Sequence, residues 1–317
     1  MNPLSSIYAL AAGVRNALYD RQMLPTKRIE GPVVSVGNLS VGGSGKTPFV
    51  ILLGELLKAR GIPFDILSRG YGRQTRGVLL VDPSGSSQDF GDEPLLMARR
   101  LDIPVIVGED RYKAGLVAER KFGPQLHLLD DAFQHRALAR DFDIVLVTAD
   151  DARDRLLPAG RLREPLTALK RADAIVWSAI SWSAAESKDV QGQRIWRVER
   201  SLELPEQAPH QPVAFCGIAR PQNFALQLRK AGIEPAAEAV YRDHHAYTEN
   251  DIRELLALKT RSEAGGFVTT EKDAINLGAY FSALQPLAVV PVKMDLVDAA
   301  NALDTMLRII SERKNRP

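Results

Sequence analysis

An apolar run enters a glycine-rich turn in the stretch VVSVGNLSVGGSGKTPFV, Val33 to Val50. Set against the pattern G-x-x-x-x-G-K-[ST], the turn reads Ser40, Val41, Gly42, Gly43, Ser44, Gly45, Lys46, Thr47, with serine where the first glycine is usual. Such a turn aims backbone N–H groups at phosphates from a helix N-terminus, extends a lysine to the outer phosphate oxygens and offers a hydroxyl to Mg²⁺. Gly42, Gly43, Gly45, Lys46 and Thr47 supply these groups, and PFVILLGELLKAR follows as the required helix. The turn predicts nucleotide binding without naming a job, since kinases, GTPases, transport ATPases and metal-insertion factors share it.

A site of this kind needs a carboxylate at the end of a neighbouring strand. LHLLDD supplies it, an apolar run ending at Asp130 and Asp131, and Asp130 is the expected partner of Thr47 in the Mg²⁺ shell. Guanine recognition is disfavoured. Its strand-end Asn/Thr-Lys-x-Asp element is approached only by Thr270, Glu271, Lys272 and Asp273, in the wrong order. Partition and metal-delivery ATPases carry a lysine before the double glycine, where this chain has Val41.

The elements that must position these groups follow from pattern. From residue 32, short β-rich runs alternate with helical segments, the signature of a mostly parallel sheet covered by helices. Expected strands are 33–36, 64–67, 78–81, 105–107, 126–129, 144–147 and 174–177, with helices over 48–60, 94–101, 111–121 and 165–169. The polar stretch SAISWSAAESKDVQGQ marks a boundary. A smaller α/β unit follows, with strands expected at 213–216, 239–241, 266–269 and 287–291. RIWRVER and VVPVKMD are expected to pair as a connector, and a last helix over 299–313 returns to the first unit. The division is therefore 1–28, an amphipathic helix; 29–190, the nucleotide-binding domain; and 191–317, the smaller α/β domain. In the first segment Leu4, Ile7, Ala11, Val14 and Leu18 recur at helical spacing beside Arg15, Arg21, Lys27 and Arg28. Such a helix suits either a membrane interface or the protein core.

Composition narrows the setting. The 317 residues carry 41 Lys+Arg against 39 Asp+Glu, so no basic excess points to nucleic acid. The single cysteine, Cys216, fits a reducing compartment, and no apolar run is long enough to span a bilayer.

Further polar, glycine-rich clusters are LSRGYGR, GDEP, GEDRYKAG, LLDDAFQHR, LLPAGRLREP, YRDHHAYT and VTTEKDA. With VGNLSVGGSGKTP, in this order and at these separations, they resemble the tetraacyldisaccharide 4′-kinases, the lipid A 4′-kinases of Gram-negative bacteria. The resemblance runs from the N-terminal helix to about residue 295. It implies a P-loop NTPase core of α/β/α form, ATP and Mg²⁺, and transfer to the 4′-hydroxyl of an acylated disaccharide 1-phosphate lipid, giving lipid IVA. The partner surface it implies is the cytoplasmic face of the inner membrane, met by the N-terminal helix, with no nucleic acid and no obligate protein partner.

By the same resemblance Asp92 looks like the catalytic carboxylate that takes the acceptor proton, and His244 like its partner, with His245 left open. Lys46 and Asp131 join them, Asp131 with metal contact, acceptor contact and support all open. Glu164 matches a position of the metal shell. Nucleotide contacts are expected from Ser40, Val41, Gly42, Gly43, Ser44, Gly45, Lys46 and Thr47, with Gln134, Arg111 and Arg163. A soluble P-loop ATPase acting as a switch is the rival reading, set back by Val41 and by Asp92 and His244 lying outside any switch-like element.

Overall fold

All six residues of Val33–Asn38 are buried, as a strand covered on both faces requires, and they form β1. The computed structural model describes residues 3–177, 192–205 and 208–315. β1 pairs parallel with β5 (Leu126–Asp130) on one side and β6 (Phe142–Val147) on the other. Beyond β5 come β2 (Phe64–Ser68), β4 (Val105–Val107) and the short β3 (Leu79–Leu80); beyond β6 come β7 (Ala174–Trp177), β8 (Arg194–Leu202) and β13 (Val292–Leu296). Among the described residues this is a nine-stranded sheet, antiparallel only where β3 meets β4 and β13 meets β8. The chain leaves β1 toward β2 and β5, then returns to the far side at β6. Ligands of open α/β sheets bind in the crevice at such a switch point, outside the strands' carboxyl ends. The glycine turn and Asp130 end β1 and β5 at that crevice.

A second sheet, all parallel, orders β10 (Ala237–Val240), β9 (Val213–Cys216), β11 (Phe267–Thr270) and β12 (Leu287–Val290). Its helices are α6 (Pro221–Lys230), α7 (Glu249–Arg261) and α8 (Glu271–Leu277). Around the large sheet lie α2 (Lys46–Ala59), the one-turn α3 (Ser87–Phe90), α4 (Asp92–Leu101) and α5 (Arg111–Phe122). The last helix, α9 (Ala299–Lys314), returns to the large sheet: Met306, Ile309 and Ile310 share one core with Phe49, Val50 and Leu53 of α2 and Val34 and Val36 of β1.

Two elements differ from the sequence expectation. VVPVKMD is not one connector strand. Leu287–Val290 stays in the small sheet while Val292–Leu296 pairs with β8, and the break falls at Pro291, which has no N–H to continue a ladder. The helix expected at 165–169 is a 3-10 segment, Leu166–Arg171. The expected boundary stretch lies, over residues 178–191, outside the described residues.

The first helix, α1 (Pro3–Asp20), inverts the usual packing of an amphipathic helix. None of its residues is buried, and Ile7, Leu10 and Val14 are 65%, 69% and 51% exposed. Its polar side holds it instead: Ser5 Oγ donates to the Leu156 carbonyl (3.2 Å), Tyr8 Oη to that of Arg163 (3.1 Å) and Asn16 Nδ2 to Glu164 Oε2 (2.6 Å).

Because α9, at the far end of the chain from β1, closes the core that β1 and α2 share, its loss is expected to loosen the large sheet. Met306 is fully enclosed. Met306→Ala is expected to cost about 2–5 kcal/mol in denaturant unfolding; a loss within error of zero would show that α9 is not part of that cooperative core.

Candidate active site

Gly42, Gly43 and Gly45 all adopt positive φ, and Gly45 is the residue before the first turn of α2, so the turn curls over the helix N-terminus. Asn38, the last residue of β1, ties it down: its Nδ2 donates to Ser44 Oγ (2.9 Å), and its Oδ1 accepts from Lys46 Nζ (3.2 Å) and Arg163 Nη2 (2.8 Å). Arg163 also grips both oxygens of Asp131 (2.9 and 3.1 Å), while Lys46 Nζ stands 3.5 Å from Asp131. Against the effect of burial, Lys46 and Arg163 hold the Asp131 carboxyl below its ordinary range. Asp131 itself is left-handed, at φ 48°.

Asp130 is the opposite case. Buried, and facing the charges of Glu93 and Asp131, its carboxyl is pushed up to about 7. One oxygen accepts from Ser68 Oγ (3.1 Å); the other is enclosed without a hydrogen-bond partner. A carboxylate so placed beside Thr47 fits a cation, and Mg²⁺ usually takes one or two protein carboxylates and fills its shell with phosphate and water. Accordingly, no group of three or more His, Cys, Asp or Glu among the described residues is set to hold a metal by itself.

On the facing wall, Gly91 takes φ 88°, ψ 150°, a backbone region almost confined to glycine, and its next residue opens α4. That residue is Asp92, 4% exposed. Its donors come from the other sheet: His244 Nδ1 lies 3.0 and 2.8 Å from its two oxygens, and Asn276 Nδ2 of α8 lies 3.2 Å away. Lys272 Nζ stands at 3.9 Å, bonded to Glu93 Oε1 at 3.1 Å. Burial raises the Asp92 carboxyl, but His244 and Lys272 outweigh it and bring it down to about 2. Burial likewise pulls His244 down, yet its bond to Asp92 leaves it above the ordinary 6.5. His244 holds φ 56° in the turn after β10, with its N–H on the Gly217 carbonyl and its ring 5.1 Å from that of Tyr71. His245 turns the other way, with Nε2 on Asp251 at 3.0 Å and its ring stacked on Tyr241.

A cavity of about 690 Å³ joins these walls. Val41 through Thr47, Asp130, Asp131, Gln134, Arg111, Arg163 and His244 line it. Arg111, with its guanidinium lowered to about 10 by burial, donates to the Gly108 carbonyl (3.0 Å); Gln134 Nε2 donates to the Asn38 carbonyl (2.9 Å). Three expected residues do not line it. Asp92 sits behind His244. Ser40 gives its carbonyl to Arg163 and supports the turn from below. Glu164 lies beside α1, where its Oε2 meets Arg171 (2.9 Å) and Asn16 Nδ2 (2.6 Å), while its Oε1 is enclosed without a hydrogen-bond partner. The sequence reading passed over Lys272 and Asn276. VTTEKDA contains Lys272, and Asn276 lies two residues past it; Thr270 caps α8, accepting from Asp273 N at 3.2 Å, and that cap sets the turn that aims Lys272 across the cleft.

Comparison with known proteins was made on the whole chain. Residues 1–311 match the model of the family described as tetraacyldisaccharide-1-P 4′-kinase. The chain is similar to the tetraacyldisaccharide 4′-kinase of Koribacter versatilis, 52% identical over 99% of this chain and all of that one. It is similar as well to that of Geobacter metallireducens, 38% identical over 93% of each. A crystal structure of "apo" form LpxK from Aquifex aeolicus in complex with ATP superposes with TM-score 0.78 at 36% identity, covering 97% of this chain and 98% of the other.

The Asn38–Arg163–Asp131 lattice holds Lys46 beneath the glycine turn. Arg163→Met is expected to weaken nucleotide binding roughly tenfold or more, the worth of a lost charged hydrogen bond or two. Calorimetric titration of the purified variant measures it; affinity equal to wild type would remove Arg163 from the site.

Proposed function

The chain belongs to the tetraacyldisaccharide-1-phosphate 4′-kinase family, and from that premise we propose how its own residues carry the family's reaction. That reaction is phosphorylation of the 4′-hydroxyl of tetraacyldisaccharide 1-phosphate by ATP, giving lipid IVA in lipid A biosynthesis. The observation that carries the assignment of roles is the Asp92–His244 contact, made between the two sheets at the wall facing the glycine turn.

The phosphates of ATP lie along the turn, taken by its N–H groups and by Lys46. Arg163 and Arg111 add charge beside them. Thr47 and Asp130 are the residues that would hold Mg²⁺, which would offset phosphate charge. The acceptor hydroxyl enters on the His244 side. Asp92 is acceptor-only at any working pH, so His244 donates Nδ1–H to it and presents Nε2 as the free base. This shifts the role expected of Asp92: it orients His244 and makes it more basic, and does not itself meet the hydroxyl. Lys272 and Asn276 fix Asp92 in turn. Phosphoryl transfer depends mainly on position and charge, so a base held at one distance from the turn is what the arrangement supplies.

We infer that α1 lays its exposed face, Ile7, Leu10 and Val14, into the surface of the membrane that holds the acyl chains, beside the basic Arg15 and Arg21. Its polar contacts reach Arg163, Glu164 and the Gln134 carbonyl, next to the phosphate site, so a lipid headgroup at that surface stands close to the cavity. No helix among the described residues is long and apolar enough to cross a membrane. The reading therefore places the protein on the inner-membrane surface, at the cytoplasmic face where ATP is available.

Two outcomes are expected. In a detergent-micelle assay with labelled ATP and the tetraacyldisaccharide 1-phosphate, His244 must be neutral to act, and its pKa is raised by Asp92. Activity therefore rises with pH through a point above 6.5. Asp92→Asn, which removes the raising charge, is expected to move that point down while lowering kcat, and His244→Ala to cost about 10²–10⁴-fold in kcat. A His244→Ala enzyme with the wild-type pH profile and rate would refute the assignment. For α1, Leu10→Glu is expected to reduce co-sedimentation with anionic vesicles several-fold while leaving ATP binding unchanged; undiminished binding to vesicles would count against the interfacial helix.

A further inference from the structure

Two cations of the second half of the chain remain unused by this account. Arg220 precedes α6 and lies over the crown of the glycine turn: a Cβ built on Gly43 would stand 2.8 Å from Arg220 Cγ and 3.0 Å from its Nε. Arg200, on β8, lines the same cavity, as does Arg220. Burial and the neighbouring Arg220 charge hold the Arg200 guanidinium below its usual range. Arg220 Nη1 meets Asp150 at 3.0 Å, but Asp150 is itself largely exposed. Nε and Nη2 of Arg220 and Nε of Arg200 are enclosed with no acceptor.

Two like charges in one cavity, with donors unmet, need a ligand that brings negative charge as well as lone pairs. A neutral base or sugar satisfies the donors and leaves the repulsion; a phosphate answers both, and the guanidinium fork matches its oxygens. The contrast with the other wall is direct. There one carboxyl, Asp131, is shared by Lys46 and Arg163, whereas here Arg220 meets only the exposed Asp150 and no carboxylate pairs with Arg200 in the hydrogen bonds and ion pairs of the described residues.

We propose that Arg220, backed by Arg200, is a phosphate-binding arginine supplied from the second sheet, which takes an oxygen of the terminal phosphates of ATP held on the glycine turn. It thereby adds positive charge on the side opposite Lys46, where charge shifts during transfer. The inference rests on ATP being the nucleotide of the proposed function.

The test compares ATP and ADP, each with Mg²⁺, titrated into full-length wild type, Arg220→Gln, Arg220→Lys and Arg200→Met. Unfolding midpoints without nucleotide check that each variant is folded. Arg200→Met, which removes a like charge from its neighbour, is expected to unfold no earlier than wild type. Both Arg220→Gln and Arg200→Met are expected to lose about tenfold or more in ATP affinity and clearly less in ADP affinity, Arg220→Lys to recover part of it, and lipid phosphorylation by Arg220→Gln to fall by about 10²-fold. Equal losses for ATP and ADP would place the arginines on a group the two nucleotides share, not on the γ-phosphate, and overturn the proposal, as would unchanged affinity in the folded variants. Wild type that binds ATP but leaves the lipid unlabelled would sink the proposed acceptor, and the ATP-to-ADP comparison would still decide the arginines.

Discussion

A carboxyl group shut away from water tends to take up a proton, and Asp92 escapes this only because donors reach it from the other sheet. His244 comes from the turn after β10, Asn276 and Lys272 from α8, while Asp92 itself opens α4 beside the large sheet. The proposed base thus keeps an ionised Asp92 behind it only while the two sheets are apposed. Other contacts serve the same apposition. Arg100 of α4 bonds Glu271 of α8 at 2.7 Å, and Lys272 bonds Glu93. Below them, β8 and β13 run antiparallel as a ribbon that belongs to the large sheet yet leads directly, through Pro291, into the small one. A break at one proline lets a single stretch of chain serve both sheets.

The cavity between the sheets is electrically divided. Toward the base of the glycine turn, Lys46 and Arg163 share the carboxylate of Asp131 and both donate to Asn38 Oδ1. Asp130 stands apart, unneutralised and with one oxygen open, which is the condition a divalent cation relieves. Across the cavity, Arg220 from the second sheet meets only the exposed Asp150, and Arg200 on β8 has no carboxylate partner among the described residues. Unpaired buried groups of this kind cost stability in the free protein, and a ligand that meets them stabilises the folded state by mass action.

Helix α1 shows how little an amphipathic pattern says about which side is inward. Its stripe of Ile7, Leu10 and Val14 faces out, and its small and polar residues hold it to the loop carrying Arg163 and Glu164. Glu164, read from the resemblance as part of the metal shell, has its carboxylate in that attachment, facing Arg171 and Asn16. The residue next to it in sequence reaches the phosphate site. Two neighbours in one loop point to opposite sides, and only the path of that loop decides which one lines the cavity.

Local chemistry carried much of this through the sequence. A glycine turn between an apolar run and a helix has one well-defined use, because positive φ and a free helix N-terminus are local properties. Parallel strands alternating with helices could be read for the same reason, and the family resemblance then attached Asp92 and His244 to each other. What sequence could not hold was direction and approach. The choice of His244 over His245 follows from a left-handed backbone at His244 and from Asp251 drawing its neighbour away. The placing of Lys272 on Asp92, of Arg220 above Gly43, and of Asp92 behind His244 follows from the apposition of two sheets some 150 residues apart in order-of-magnitude chain terms. Those contacts depend on the sum of many buried surfaces, and no short stretch of residues encodes them.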